Sequence, residues 1–213
     1  MPEPRRAPLL APLLAPLLAP LRGLVLTGGA STRMGQDKAT LVYGHAPQWR
    51  AVAALLAQCG AEVFWSCTAA QAAAWQLGDR ALFDLVPGHG PASGLHAAFS
   101  RAPEGAWLVV GCDYPHLEAP DLQRLIDARA PAVEAVAYQN DATGEIEPML
   151  SLWEPAAQGQ FLHAFAAGDD SPRRALRRCA LQVLTPRTPH VLVNQNTPAP
   201  PNAPRMSSSS GTP

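Results

Sequence analysis

Short apolar runs rich in β-branched and aromatic residues alternate along the chain with longer amphipathic stretches. The runs predict strands at 23–27, 62–66, 81–85, 107–112, 135–138, 148–153 and 190–194. The amphipathic stretches predict helices at 47–58, 94–100, 119–130, 156–167 and 171–178. The strands are apolar throughout rather than alternating, which indicates burial on both faces. The pattern therefore predicts an α/β fold, a three-layer α/β/α sandwich around a mostly parallel central sheet.

The two ends of the chain differ in composition from its middle. Residues 1–20 repeat a Pro/Leu/Ala unit, and residues 199–213 are rich in proline and serine. Arg5 and Arg6 ahead of an apolar run are typical of a signal peptide, but a proline at every fourth position prevents a continuous helix. The run is also too short to span a bilayer. We expect 1–20 to be a disordered low-complexity extension, 199–213 a disordered tail, and 21–198 the folded domain.

Composition and charge narrow the classes of partner. The chain has 213 residues, 47% of them hydrophobic, which is ordinary for one globular domain with a core. Its formal net charge of −1 gives no overall field that would attract nucleic acid or an anionic membrane, so neither is expected as a partner. The four cysteines show no C-x-x-C pair and no metal-ligand spacing, which is typical of reduced thiols in a cytoplasmic protein.

The segment LTGGASTRMGQDK, residues 26–38, follows the first predicted strand and carries the only lysine of the chain. Ligands of open α/β sheets bind at the carboxyl ends of the strands. Gly28 and Gly29 would let the backbone approach phosphate oxygens, and Arg33 and Lys38 would add two cations suited to a pyrophosphate. The spacing fits neither a P-loop nor a dinucleotide-binding fingerprint. We expect a phosphate-binding loop; an ordinary strand-to-helix turn is the alternative.

Asp113 ends WLVVGCD, the most apolar strand of the chain, where a lone carboxylate is costly unless it meets a cation or lies at the strand end. Mg²⁺ is usually held by one or two carboxylates together with phosphate oxygens and waters. A single aspartate at a strand end supplies this, so the position predicts a magnesium site. The alternative, an N-cap for the helix near Pro120, is disfavoured because six residues intervene.

Four segments resemble, in the same order, the motifs of one protein family: LTGGASTRMGQDK at 26–38, GPASG at 90–94, CDYPHL at 112–117 and VNQNTP at 193–198. The chain thereby resembles the MobA-like guanylyltransferases, nucleotidyltransferases of molybdenum cofactor maturation. The resemblance covers nearly all of 21–198, which would be the nucleotidyltransferase domain. It implies a Rossmann-like fold that binds GTP and Mg²⁺ and transfers a guanylyl group to the phosphate of molybdopterin, with release of pyrophosphate.

The resemblance also implies roles for individual residues. Arg33, Lys38 and Asp113 would be catalytic, and Asp113 would bind the magnesium ion. Asn194 and Asn196 would line the molybdopterin side. The nucleotide would be bound by residues that follow several strands, namely Leu26, Thr27, Gly28, Gly29, Lys38, Ser66, Asp84, Gly90, Pro91 and Asp113.

Some positions depart from the family pattern and leave alternatives open. Thr27 and Ser66 stand where the family often has alanine and asparagine. The related cytidylyltransferases usually carry L-A-A-G in the first loop, so Gly28 and Gly29 favour guanine. The other alternative is a non-catalytic carrier of molybdenum cofactor, which would deliver it to a cofactor-biosynthesis or molybdoenzyme partner. The enzyme is favoured because Lys38 and the other two catalytic candidates are present.

Four arginines stand close together in the helix predicted at 171–178: Arg173, Arg174, Arg177 and Arg178. They form two i, i+4 pairs, so they share one side of the helix. They would either bind an anionic pterin phosphate or form a solvated face, and we favour the solvated face.

Overall fold

The computed structural model of this chain describes residues 18–28 and 38–193. Some of the segments and site residues predicted from the sequence lie outside the described residues. These are the extension up to residue 17, the tail 199–213, and four site residues, Gly29, Arg33, Asn194 and Asn196.

Seven strands of the described residues form one sheet: β1 Leu21–Leu26, β2 Glu62–Ser66, β3 Ala81–Leu82, β4 Ala106–Gly111, β5 Ala135–Gln139, β6 Ile146–Trp153 and β7 Leu181–Leu184. Their spatial order is β3-β2-β1-β4-β6-β5-β7. β6 runs antiparallel to its neighbours β4 and β5, and the other pairings in the sheet are parallel. The prediction of a mostly parallel sheet is therefore confirmed.

Six α-helices connect these strands within the described residues: α1 Gln48–Gln58, α2 Ala69–Trp75, α3 Pro91–Arg101, α4 Ala119–Asp127, α5 Pro155–Ala166 and α6 Pro172–Arg178. Four of them, α3 to α6, begin with a proline in the first turn, where its missing N–H removes no helical hydrogen bond. Thr68 and Gln71 form a capping box at the start of α2. None of these helices is long and apolar enough to cross a membrane.

The sheet buries apolar side chains on both faces, because alternate residues of a strand point to opposite sides. β4 is buried along its whole length. Its Leu108 and Val110 share one core with residues of α1 and α4, whereas Trp107 and Val109 share the other with residues of α3, α5 and α6. Helices thus cover both faces, which confirms the predicted three-layer α/β/α sandwich.

The connections reverse direction at the middle of the sheet, between β1 and β4. From β1 the chain first builds β2 and β3 on one side, and then returns to place β4 on the other side. Such a switch point leaves a crevice at the carboxyl ends of the two central strands. A ligand site is therefore expected at the loops that follow β1 and β4.

Several predicted elements differ from the structure. The strand predicted at 81–85 ends after Leu82, so Phe83 and Asp84 lie beyond the sheet. The strand predicted at 190–194 is wrong in its described part, because proline starts a 3₁₀ helix, Pro189–Leu192, there instead. The helix predicted at 94–100 begins earlier, at the first-turn proline of α3. Neither β7 nor α2 was predicted, since both are short and only partly buried or exposed.

Candidate active site

Four neighbouring strands end in register at one edge of the sheet. Their last residues are Cα partners, Gly111 with Leu26, Leu26 with Ser66, and Ser66 with Leu82. Backbone hydrogen bonds of 3.1 to 3.3 Å continue the pairing by one residue, donated by the amides of Thr27, Cys67 and Cys112. The loops after β4, β1, β2 and β3 therefore leave the sheet side by side, each starting at the same level along the strands.

A cleft of about 560 Å³ lies over these strand ends. Every predicted nucleotide-site residue that the structure describes lines it, although those residues come from six separate stretches of the chain: Leu26, Thr27, Gly28, Lys38, Ser66, Asp84, Gly90, Pro91 and Asp113. The structure thus brings together residues that are up to 87 positions apart (26 to 113). This is the arrangement expected of a ligand site at a topological switch point.

The exit of β1 shapes the floor of the cleft. Thr27 is buried, and its hydroxyl donates a hydrogen bond of 2.7 Å to the backbone oxygen of Ser66. Gly28 follows with φ at +87°, a left-handed conformation that a residue with a Cβ adopts only under strain. Among the described residues, a Cβ built on Gly28 would meet no atom within 4 Å, so a ligand can approach its bare backbone. Lys38 returns to the same cleft at the start of a 3₁₀ helix, Lys38–Thr40.

Asp113 supplies a carboxylate at the other side of the switch point, just beyond β4. Burial raises its pKa, and this effect outweighs a hydrogen bond from its own backbone and the positive charge of Lys38, which lower it. Among the described residues, the charge of Lys38 therefore offsets only part of the cost of burying this carboxylate. A cation bound here would compensate it.

The donor set fits a metal that is completed by the substrate. Among residues 18–28 and 38–193, no group of three or more His, Cys, Asp or Glu side chains could hold a metal ion by itself. One or two carboxylates are what Mg²⁺ uses when phosphate oxygens and waters fill its other positions, and Asp113 supplies one at the edge of the cleft. Asp113 thus fits a divalent metal of this type, and it would hold the ion from the β4 side.

The exits of β2 and β3 form a wall of neutral and weakly acidic groups. Burial raises the pKa of Asp84. Burial, together with the charge of Asp84, raises the pKa of the Cys67 thiol to about 11, so this thiol stays protonated at neutral pH. The hydroxyl of Thr68 accepts a hydrogen bond of 3.2 Å from the backbone amide of Gln71, which holds it at the start of α2. This end of the cleft offers hydrogen bonds rather than positive charge.

The turn before α3 closes the cleft on the β3 side. Gly90 adopts φ at +56° and precedes Pro91, the first residue of the helix. The hydroxyl of Ser93 ties the turn together, since it donates to the backbone oxygen of Val86 at 2.7 Å and accepts from the amide of His89 at 3.3 Å. α3 also passes very close to the strands: a Cβ on Gly94 would lie 2.5 Å from the hydroxyl oxygen of Ser66.

The cleft contains further residues that the sequence did not assign to it: Cys67, Thr68, Ala69, Phe83, Gly111, Cys112 and Met149. Most of these stand within one or two positions of a predicted site residue. Extending the predicted site by one or two residues at each strand end would therefore have included them. Met149 is different, because it belongs to the antiparallel strand β6 and no local motif marks it. Only the pairing of β6 with β4 brings it beside the site.

The four clustered arginines lie on an exposed part of α6, in ion pairs within the chain. Arg173 and Arg177 both reach the carboxylate of Glu145, at 3.1 and 2.9 Å. The other two, Arg174 and Arg178, pair with Asp169. The side chains of the four are 42 to 58% exposed, which agrees with the solvated face that the sequence favoured.

Residues 23–184 match the MobA-like NTP transferase domain, a span of more than half of the chain. The chain belongs to the MobA-like NTP transferase family. The predicted family resemblance is therefore confirmed, and the cleft at the ends of β1 and β4 lies within the matched region. Nucleotidyltransferases of this family generally use a divalent metal.

Individual MobA-like relatives agree with this membership. The chain is 32% identical to the molybdenum cofactor biosynthesis bifunctional protein of Synechocystis, over 84% of this chain and 52% of that protein. It is 43% identical to a probable molybdenum cofactor guanylyltransferase of Pelotomaculum thermopropionicum, over 62% of each chain. The matched regions thus span about half and three-fifths of the lengths of these two proteins.

A solved structure shares the fold. The molybdopterin-guanine dinucleotide biosynthesis protein A of Archaeoglobus fulgidus superposes with a TM-score of 0.60 at 22% identity. The superposition covers 77% of this chain and 83% of the other. The MobA-like fold is thus shared well beyond the segments whose sequences are alike.

Proposed function

We propose that this protein transfers a guanylyl group from GTP to the phosphate of molybdopterin and releases pyrophosphate. One observation carries the proposal. A single cleft at the switch point gathers Gly28, Lys38 and Asp113, which are suited to phosphates and a metal, together with a hydrogen-bonding wall after β2 and β3. The curated relatives whose names include molybdenum cofactor guanylyltransferase support the choice of reaction.

The cleft divides into two ends of different chemistry. Its charged end lies over β1 and β4, where Lys38 and Asp113 stand. Its other end lies over β2 and β3 and is lined by hydrogen-bonding groups, among them Ser66 and the carboxyl of Asp84. Four adjacent strands span three strand spacings, which is roughly 14 Å. An extended nucleoside triphosphate has this polarity, with phosphates at one end and a base at the other. We therefore place the triphosphate over β1 and β4, and the guanine over β2 and β3.

Each residue of the charged end would have a distinct task. The backbone of Gly28 would approach the phosphates closely because glycine carries no side chain of its own. Lys38 would bind them through its compact ammonium group and neutralise charge on the departing pyrophosphate. Arg33, which lies outside the described residues, stays a predicted second cation for the same task. Asp113 would hold Mg²⁺, which when bound neutralises and orients phosphate oxygens.

No general base is required by this reaction. The attacking group is a phosphate, which is already ionised at neutral pH, so the site has only to align it with the α-phosphate and balance the charge that develops. The protonated Cys67 thiol and the carboxyl of Asp84 lie beyond β2 and β3, away from Asp113 at the end of β4. They would meet the nucleoside rather than the reacting atoms.

The remaining predictions follow from the same reaction. Asn194 and Asn196 would line the molybdopterin side, Gly29 would add to the phosphate loop, and all three lie outside the described residues. Gly90 and Pro91 would border the nucleoside from the start of α3. We place the protein in the cytoplasm, with GTP and molybdopterin as its substrates and a cofactor-biosynthesis protein or molybdoenzyme as the receiver of its product.

Nucleotide binding tests the proposal most directly. Calorimetric titrations of GTP and of CTP, each with and without Mg²⁺, would be made on the wild type, on Asp113→Ala and on Asp79→Ala. Asp79 is an exposed aspartate of the 3₁₀ helix Gly78–Arg80 that does not line the cleft, so it is a matched control. We expect Mg²⁺-dependent binding with GTP preferred, kept by Asp79→Ala and lost by Asp113→Ala.

The reaction itself is then measured as pyrophosphate released from GTP with molybdopterin as the acceptor. A preference for CTP would transfer the assignment to the cytidylyltransferases. Absence of binding of either nucleotide to the folded wild type would contradict the enzyme and favour the carrier of molybdenum cofactor.

A further inference from the structure

Phe83 is a large aromatic residue that is not buried in the core. It follows directly on the two-residue strand β3, whose Leu82 is buried with a relative exposure of 6%. Phe83 itself is 50% exposed, yet it lines the cleft. An apolar ring that stays half in solvent inside a ligand cleft offers a face to whatever fills that cleft.

The position of Phe83 within the cleft matters as much as its exposure. It stands at the end of β3, the strand farthest from β4 among the four that frame the cleft, and so at the opposite end from Asp113. The nearby lining residues Cys67, Thr68 and Asp84 carry hydrogen-bonding groups and no cation. A planar apolar surface beside a few polar groups is what a site for a heteroaromatic ring requires.

The loop around Phe83 offers a natural comparison. Leu85, two residues further on, is also apolar and is 63% exposed, but it is not among the residues that line the cleft. Exposure alone therefore does not distinguish Phe83. The distinction is that Phe83 lines the cleft, at the end that lies over β2 and β3.

We propose that Phe83 is the platform on which the nucleobase of the bound nucleotide stacks. This inference rests on the proposed function, because it assumes that a nucleotide occupies the cleft with its phosphates near Asp113. The ring would hold the base by its flat face, leaving the edge of the base to Ser66, Thr68 and Asp84. Stacking would then supply affinity, and the edge contacts would supply base choice.

The test separates binding of the base from binding of the phosphates. Calorimetric titrations with GTP and with inorganic tripolyphosphate, both in the presence of Mg²⁺, would be made on the wild type and on Phe83→Ala, Phe83→Tyr and Leu85→Ala. Phe83→Ala removes the ring, Phe83→Tyr keeps it, and Leu85→Ala removes a neighbouring exposed apolar group outside the cleft. Circular dichroism on each variant confirms that the fold is retained.

We expect Phe83→Ala to weaken GTP binding by roughly 5- to 150-fold, the range that corresponds to stacking of one base on an aromatic side chain. Tripolyphosphate affinity should be unchanged, Phe83→Tyr should bind GTP like the wild type, and Leu85→Ala should too. The inference is overturned if Phe83→Ala keeps wild-type GTP affinity, or if it weakens tripolyphosphate equally. If wild type binds tripolyphosphate but not GTP, both this inference and the proposed function fail; if it binds GTP and Phe83→Ala binds it equally well, only this inference fails.

Discussion

A Cβ placed on Gly111 would lie only 2.8 Å from Oδ1 of Asp113. Gly111 is the last residue of β4, so the carboxylate of Asp113 folds back over the end of its own strand. No side chain other than hydrogen leaves room for this arrangement without movement. The glycine thereby leaves the room that the candidate metal ligand occupies.

Substitution Gly111→Ala should displace the Asp113 carboxylate and lower kcat/KM for GTP. Loss of a group that orients a metal ligand usually costs about 10- to 100-fold in activity or metal affinity, and we expect an effect in this range. Steady-state kinetics at several Mg²⁺ concentrations would measure it. Gly44→Ala is the control, because a Cβ there meets nothing within 4 Å. Equal activity of the two variants would show that the position of Asp113 is not critical.

Asp113→Asn should abolish activity and at the same time stabilise the metal-free protein. The activity is expected to fall by more than about 100-fold, the upper end of the cost of losing a residue that only supports a ligand. The stability should rise because burial of the charged carboxylate raises its pKa, which means that folding opposes its ionisation.

The raised pKa of Asp113 also makes the stability gained by Asp113→Asn depend on pH. A carboxyl whose pKa is raised in the folded state binds its proton more strongly there, so its ionisation lowers stability as the pH rises above the ordinary value of 3.8 and through the raised pKa. The excess in Tm of Asp113→Asn over wild type, without metal, should be full at pH 8 and shrink toward pH 4. A variant less stable than wild type at pH 8 would show that the carboxylate makes net favourable contacts.

Gly94→Ala should destabilise the fold, because α3 packs directly on the ends of β1 and β2. A Cβ at this position would lie 2.5 Å from Oγ of Ser66 and 2.7 Å from Cδ2 of Leu26. Overpacking of this kind costs about 1–3 kcal/mol, measured as the free energy of unfolding in urea. GTP binding should weaken as well, since Ser66 and Leu26 both line the cleft.

Gly159→Ala supplies the matched control for that experiment. Gly159 lies inside α5, and a Cβ on it would meet no atom within 4 Å. Because alanine favours helix over glycine, this change should stabilise the protein by about 0.5–1 kcal/mol. Similar changes in stability for the two alanine variants would contradict the close contact at Gly94.

Arg129 and Glu154 form a buried ion pair that secures the start of β1. Nε and Nη2 of Arg129 donate to the two carboxylate oxygens of Glu154 at 2.6 and 3.1 Å, and Nη2 also donates to the backbone oxygen of Ala19 at 2.8 Å. The two side chains are 6 and 11% exposed. Removing one partner from such a pair leaves a buried charge alone, so Arg129→Met should lower the free energy of unfolding by about 3–5 kcal/mol.

An exposed pair provides the comparison for Arg129. Arg80 lies 2.9 Å from the carboxylate of Glu62, but both side chains are nearly half exposed. Ion pairs in water contribute little, so Arg80→Met should change stability by no more than about 1 kcal/mol. Urea denaturation of both variants would measure the difference, and equal losses would show that burial does not decide the strength of the pair at Arg129.

Much of the fold follows from local sequence. β1 and β4 were predictable because their residues are apolar on both faces, which only burial between two helical layers accommodates. The candidate site was predictable to the extent that its residues directly follow strands, as Gly28 follows β1 and Asp113 follows β4. Errors fell on short or weakly patterned elements such as β7, where burial is partial and the apolar signal is faint.

Sequence by itself determined the layers of this protein, the strands that run through its centre and the polar residues that end them, because these depend on the order of apolar and polar side chains along short segments. The tertiary structure alone decided which of those ends stand together. The pairing of β1 with β2 and β4 puts Lys38 and Asp113 in one cleft. Because β3 ends after Leu82, Phe83 lies beyond the sheet and lines that cleft. The antiparallel pairing of β6 with β4 adds Met149. These relationships arise from hydrogen bonds between strands that are distant in the chain, and no local pattern contains that information.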